Sequence, residues 1–179
     1  MSRVPYLSRE NTGVDHKPLW DRLEVERKVP TANIFRALAN APVLLDAFLS
    51  YANALRDGSV LSPKLRELAI LAVGHTTDSE YEIAHHQAHG QKAGLSPEQL
   101  AAVPDFATSA LFDDAERSVM ALAAESTEKV HVTDATWAAV AAHLDDRQLV
   151  ELSVTIAWYN SGVRIMGLLG IELEDGYRT

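Results

Sequence analysis

A nearly continuous apolar helix with one acid inside it is the feature that most constrains this chain. After Ser62 and Pro63, residues 65–73 are apolar on almost every face, and Glu67, next to Arg66, is the acid among them. A helix that is apolar all round is expected to be buried. Serine at the N-cap and proline in the first turn suit its start. The chain is therefore expected to fold around this helix and to supply a partner for Glu67.

The Glu67 carboxylate shares a helix face with Ile70, Leu71 and Gly74, which lie three, four and seven residues further on. A buried acid must be paired, hydrogen-bonded or neutral. Two interpretations follow: Glu67 forms a structural ion pair or helix-end hydrogen bond, or it is a titratable group of a small-molecule site.

A second helix, predicted from about Asp78 to Gly94, carries acid and imidazole groups. Glu82 and His86 are four residues apart, as are His85 and His89. The pattern Ser79-x-x-Glu82 is typical of a capping box, which would make both residues structural. In the alternative interpretation, a carboxylate and an imidazole one helical turn apart share or relay a proton near neutral pH.

A metal site is the other interpretation of these residues. Glu82 and His85 resemble the Glu-x-x-His element of di-iron bundles, which needs a second such element and two further carboxylates. The other instance, Glu128 to His131, lies at the end of a predicted helix. We therefore expect no metal and favour proton chemistry.

These residues resemble the signature of the carboxymuconolactone decarboxylase and AhpD-like alkylhydroperoxidase superfamily. Its peroxidases carry Glu, eleven residues, Cys-x-x-Cys, three residues and His, whereas this chain has Glu67, eleven residues, Ser79-x-x-Glu82 and His86. Ala93-Gly94-Leu95 adds to the likeness, which extends over roughly residues 30–172. The acid and the histidine match, and the two cysteines do not.

The resemblance implies an all-α helical bundle, a homo-oligomer (trimer or hexamer) and a small-molecule substrate. Glu67, Glu82, His86 and Tyr81 are the expected catalytic residues. Ser79, with Asn160 and Arg164 on the last helix, would bind the substrate, and Arg164 would pair with a carboxylate from Glu67, Glu82, Glu151 or the substrate. No cofactor is expected.

Two functions remain open from the sequence. One is a cofactor-independent lyase that decarboxylates a small lactone or keto acid, with His86 as proton donor, and the other is a non-enzymatic binding or scaffold protein. Thiol-dependent peroxidase activity is not expected, because the chain has no cysteine.

Composition and charge limit the number of hydrophobic cores, the kinds of partner and the location that we expect for this protein. The 179 residues are 47% apolar, which fits one core. A net charge of -9 without a Lys/Arg cluster argues against nucleic acid as a partner. No run approaches a membrane span and no secretory signal is visible, so no membrane partner and a cytoplasmic location are expected.

Helical periodicity organises the rest of the chain. We expect an N-terminal arm and short helix over residues 1–29, including an apolar stretch with Trp20, and a helical domain over residues 30–179. Helices are predicted at about 33–38, 42–57, 97–103, 114–128, 133–144 and 146–169, in addition to the central pair. The pattern Ser62-x-x-Leu65-x-Glu67 returns as Asp146-x-x-Leu149-x-Glu151, which indicates a helical module used twice.

Overall fold

The computed structural model describes residues 2–13, 16–27 and 32–177, and the regular structure in these ranges is helical, with no strand. The helices are α1 (Lys17–Asp21), which continues as a π-helical turn (Arg22–Arg27), α2 (Asn33–Leu38), α3 (Pro42–Asp57), α4 (Pro63–Thr76), α5 (Glu80–Lys92), α6 (Pro97–Ala102), α7 (Asp114–Lys129), α8 (Asp134–Ala141) and α9 (Asp146–Leu169). Short 3-10 turns occupy Val103–Asp105 and Asp175–Tyr177. The prediction of an all-α fold is confirmed.

Most helix ends fall where the capping residues placed them. Gly94 follows α5 with φ of 97°, the left-handed conformation that glycine adopts without strain. Ser96 and Asp113 each complete a capping box at the start of α6 and α7. The prediction for Ser62 is wrong in one respect: its side chain makes no capping bond, and its carbonyl accepts the first helical bond, from Arg66.

The chain divides into two compact units, Met1–Gly58 with Arg164–Thr179, and Ser59–Val163. Within the described residues, no helix is both long enough and apolar enough to cross a membrane.

The unit Ser59–Val163 is built around α4, as the apolar run predicted. Helix α4 packs against α5, α7 and the turn Val103–Asp105, and α7 packs against α8. Helix α9 adds Leu149, Leu152 and Ile156 to the same core. Burying such side chains stabilises a fold by roughly 1.5–3 kcal/mol each. The largest fully buried side chains of this unit include Leu61, Leu68, Ile70, Leu71, Val73, Val103, Val119, Met120 and Leu152.

In the other unit, α1 packs against α3 and α2 packs against α3. Trp20 is only 3% exposed, and its indole N–H donates to the Thr12 hydroxyl at 2.6 Å. The predicted N-terminal helix is therefore buried in the protomer through Trp20. This residue offers no surface for self-association, so the predicted homo-oligomer has to rest on other residues.

The two copies of the repeated sequence pattern place their acids in different environments. Glu151 accepts hydrogen bonds from the Ser59 hydroxyl at 2.7 Å and from the backbone amides of Val60 and Leu61 at 2.8 and 2.9 Å. Arg147 donates a further bond at 2.9 Å. Glu151 thus fixes the segment that leads into α4.

The pKa of Glu151 reflects these contacts. Burial acts to raise it, but the bonds from Ser59, Leu61, Arg147 and Val60 together lower the pKa from 4.5 to about 2. Because the pKa is lower in the folded protein than in the unfolded chain, Glu151 stabilises the fold above about pH 4.5. That contribution is lost as the pH falls towards about 2.

We predict that Glu151→Gln lowers the free energy of unfolding at pH 7 by roughly 1–3 kcal/mol, because hydrogen bonds to an ionised group are lost. The difference from wild type should shrink as the pH falls from 4.5 towards 2. Urea unfolding followed by circular dichroism over this range measures it. Glu128→Gln, at an exposed position, is the matched control. A loss of unfolding free energy in Glu151→Gln that stays the same at every pH would contradict the prediction.

Candidate active site

Helices α4 and α5 form a tight antiparallel hairpin. Only residues 77–79 join them, and Asp78 takes a positive φ of 50° at the turn. The Ser79 amide donates to the Gly74 carbonyl at 2.8 Å. A Cβ at Gly74 would lie 3.2 Å from Ile83 Cγ1 and 3.5 Å from Glu82 Cβ. The glycine therefore allows the start of α5 to pack closely on α4.

This packing brings Glu67 of α4 to His86 of α5. Glu67 Oε2 lies 2.7 Å from His86 Nδ1, and the two side chains are only 9% and 13% exposed. Arg66 Nε lies 3.9 Å from the other oxygen, Oε1. The expectation that a buried Glu67 needs a neighbouring imidazole or guanidinium agrees with these contacts.

The second ring nitrogen of His86 faces the other acid. His86 Nε2 lies 3.5 Å from Glu82 Oε2, and the Glu82 side chain is 10% exposed. An ionised Glu67 carboxylate can only accept, so it requires a proton on Nδ1. In the neutral ring Nε2 then carries a lone pair towards Glu82. One imidazole thus lies between two buried carboxyl groups.

The environment of Glu82 favours its protonated form. Burial is the main cause that raises its pKa, and the negative charge of Glu67 adds to the rise. The positive charges of His86 and His85 act in the opposite direction. Glu82 is therefore placed to hold a proton beside His86 at a pH where exposed glutamates are ionised.

The capping-box alternative for Ser79 and Glu82 holds only for the serine. The Ser79 hydroxyl accepts from the Glu82 backbone amide at 3.4 Å and caps α5. The reciprocal bond of a capping box would run from the Ser79 amide to the Glu82 carboxylate. The Ser79 amide donates to the Gly74 carbonyl instead. The Glu82 side chain lies beside His86 instead, so its position is not explained by helix capping.

Aromatic rings surround this group of acids and imidazole. Tyr81 is buried and stacks on His85, with ring centroids 4.4 Å apart. Tyr159 of α9 lies perpendicular to the His86 ring at 5.0 Å. Tyr159 was not predicted as a site residue, although its position next to Asn160 on the predicted last helix was a usable signal.

His89, one turn beyond His86, completes the row of imidazoles. Its ring centroid lies 5.4 Å from that of His86. Burial lowers the pKa of His89, and the positive charge of His86 lowers it further. Among the described residues, no group of three or more His, Cys, Asp or Glu side chains is arranged to hold a metal ion.

The residues expected on the last helix differ in their surroundings. Asn160 Nδ2 donates to Thr127 Oγ1 at 2.8 Å and to the Ile156 carbonyl at 3.1 Å, which links α9 to α7. Arg164 is exposed and belongs to the other compact unit. The roles of Asn160 and Arg164 in substrate binding therefore stay predictions.

We predict that Glu82→Gln raises the free energy of unfolding at pH 8 by roughly 0.5–2 kcal/mol, the usual gain when a costly functional residue is replaced. The pKa of Glu82 is raised by burial in the folded protein. Its presence therefore destabilises the fold as the pH rises through the unfolded-state value of about 4.5 and upward. The gain from Glu82→Gln should grow with pH over this window in urea unfolding.

Glu116 provides the matched control for that measurement. It is also buried, but it accepts from Lys64 Nζ at 2.5 Å and from the Asp113 amide at 3.1 Å. Glu116→Gln should therefore destabilise the fold by roughly 1–3 kcal/mol. Equal losses in the Glu82 and Glu116 variants would mean that Glu82 is a satisfied structural residue.

Part of the chain is similar to a known protein family. Residues 42–125 match the model of the carboxymuconolactone decarboxylase family. A search of curated protein sequences finds no significant match.

Several solved structures share the fold over nearly the whole chain. The debrominase Bmp8, solved in complex with 2,3,4-tribromopyrrole, is 17% identical with a TM-score of 0.84, covering 99% of this chain and 95% of that one. A peroxidase-related protein from Silicibacter sp. TM1040 is 17% identical with a TM-score of 0.83, covering 98% and 93%.

An alkylhydroperoxidase AhpD core protein from Ralstonia eutropha JMP134 is 21% identical with a TM-score of 0.81, covering 98% of this chain and 94% of that one. At these identities the likeness establishes the fold. The family match is confined to residues 42–125, where the chain is similar to the carboxymuconolactone decarboxylase family.

Proposed function

We propose that this protein carries out cofactor-independent acid–base chemistry on a small lactone or keto acid, with decarboxylation as the reaction. The observation that carries the proposal is the line of three groups Glu67, His86 and Glu82. Glu67 Oε2 lies 2.7 Å from one ring nitrogen of His86, and Glu82 Oε2 lies 3.5 Å from the other. Such a line can hold and move a proton without a metal or an organic cofactor.

Decarboxylation requires two contributions from the protein. When the bond to the departing CO2 breaks, its electron pair moves to the neighbouring carbonyl and forms an enolate. The site then has to stabilise the oxyanion and deliver one proton. Glu67 orients the His86 ring through Nδ1, which leaves Nε2 to exchange a proton with Glu82.

The other predicted site residues support this arrangement in different ways. Ser79 holds the start of α5 as its cap, and Tyr81 packs beside His85. We assign Asn160 to the positioning of α9, given its bond to Thr127. Arg164, which is exposed, is proposed to bind a carboxylate of the substrate.

A second candidate is a non-enzymatic binding protein that kept the superfamily fold. The observation that favours it is the lack of cysteine in the chain, since Ser79 and Glu82 stand where the peroxidases have their thiols. Serine and glutamate cannot perform thiol–disulfide exchange. A binding protein would tolerate changes at His86 without loss of any turnover.

We predict CO2 release from at least one member of a panel of small lactone and keto acids incubated with the pure protein. His86→Ala should lower kcat/KM by about 10²-fold or more, the usual contribution of a positioned acid or base. Glu67→Gln should also lower it, because the ring loses its charged orienting partner. The fold of each variant is checked by circular dichroism.

His143→Ala is the matched control, because His143 is an exposed histidine of the same unit. It should leave the rate unchanged. Turnover that survives His86→Ala, or a panel without any turnover, would favour the binding protein over the decarboxylase.

A further inference from the structure

Helix α3 exposes an apolar face on the side that points away from its own buried residues. Val43 is 82% exposed, Leu44 66% and Tyr51 43%. Ala47 and Ala54 are exposed on the same side of the helix. Monomeric proteins seldom expose a continuous apolar surface, and such a surface often marks a place where another molecule binds. We call these five residues the α3 face.

The spacing of the α3 face is that of a seam between two helices. From Leu44 to Ala54, four of its residues follow each other at intervals of three, four and three positions. This is the spacing of the positions along which two helices pack on each other. A surface helix needs one apolar stripe to pack on its own protein. Helix α3 already has that stripe in the buried residues Leu45, Leu49 and Ala52. Its second stripe is therefore suited to a helix of another molecule.

The α3 face carries no charge, although the whole chain has a net charge of -9. The charged residues of α3 are Asp46, Arg56 and Asp57, and none of them belongs to the face. Asp46 pairs with Arg22, and Arg56 Nε lies 2.9 Å from a carboxylate oxygen of Asp57. A large net charge of one sign keeps copies of a protein apart. Two copies of this chain can meet at the α3 face without bringing acids together.

The sizes of the side chains in the α3 face suit a second copy of α3 that runs in the opposite direction. When two such seams are aligned at their midpoints, Leu44 lies level with the partner's Ala54, and Ala47 lies level with the partner's Tyr51. Each large side chain then meets a small one, so the two helices can approach to the usual distance of about 8–10 Å. A two-fold axis repeats each contact, which makes the face complementary to itself.

We propose that the α3 face is an interface at which α3 packs antiparallel on α3 of a second copy of this chain. The inference goes beyond the acid–base function proposed above and does not depend on it. The 16 residues of α3 span about 24 Å. A contact between two faces of this length buries less than the ~1,200 Å² of a standard protein interface. The pair is therefore a weak dimer, with a dissociation constant in the micromolar range.

The first test measures the molecular mass by sedimentation equilibrium over a series of protein concentrations. Wild type should rise from 19.6 kDa towards twice that mass as the concentration increases. Leu44→Glu places an acid on each copy within the seam, so it should raise the dissociation constant by about tenfold or more. Val150→Glu is the matched control, because Val150 is a 62% exposed apolar residue of another helix, α9. It adds the same charge and should dimerise like wild type.

The second test examines the antiparallel alignment by disulfide crosslinking. The chain has no cysteine, so any crosslink comes from the introduced residues. An equimolar mixture of Leu44→Cys and Ala54→Cys should form a crosslinked dimer under mild oxidation, because the two positions are level with each other in the antiparallel pair. A mixture of Leu44→Cys and Val150→Cys is the control and should stay monomeric on a non-reducing gel.

Circular dichroism checks that each variant is folded, and Ala47→Glu repeats the first test at the centre of the seam. A mass of 19.6 kDa at every concentration, or an assembly with an odd number of copies, would overturn the inference. Dimers that persist unchanged in both Leu44→Glu and Ala47→Glu would do the same. So would a crosslink that forms in Leu44→Cys alone and not in its mixture with Ala54→Cys, since that result indicates parallel helices.

Discussion

The pairing of the buried acid Glu67 with His86 is the interaction on which the rest of the site depends. A carboxylate on the most buried helix of the unit is tolerated only with a close partner. The imidazole at 2.7 Å is that partner, and the contact fixes both the rotation of the ring and the register of α5 on α4. Glu82 is brought to the Nε2 side of the same ring as a consequence.

Backbone features of the hairpin make this contact geometrically available. Gly74 removes the side chain that would hold the helices apart, and Asp78 turns the chain with a positive φ. The Ser79 amide, bonded to Gly74, no longer needs the Glu82 carboxylate as a cap. The Glu82 carboxyl group therefore does not cap α5, and it lies beside His86.

Local patterns in the sequence were sufficient to predict the helices, including the central pair α4 and α5. Helix periodicity and capping residues depend on near neighbours, so the bounds of α3, α5, α7 and α9 could be predicted closely. Burial of Glu67 on an apolar face also called for a partner such as His86. Tertiary contacts could not be predicted from local patterns, because they join segments that are distant in the sequence. Examples are the hydrogen bonds of Glu151 to residues 59–61 and the burial of Trp20.

The side-chain geometry of His86 tests the account most directly. Long-range ¹H–¹⁵N NMR spectra of the imidazole, recorded at a pH where the ring is neutral, report which nitrogen carries the proton. A ring held by Glu67 through Nδ1, with Nε2 turned to Glu82, should show the Nδ1–H tautomer. The Nε2–H tautomer, or a rapid mixture of both forms, would contradict the pairing from which the site and its chemistry are argued.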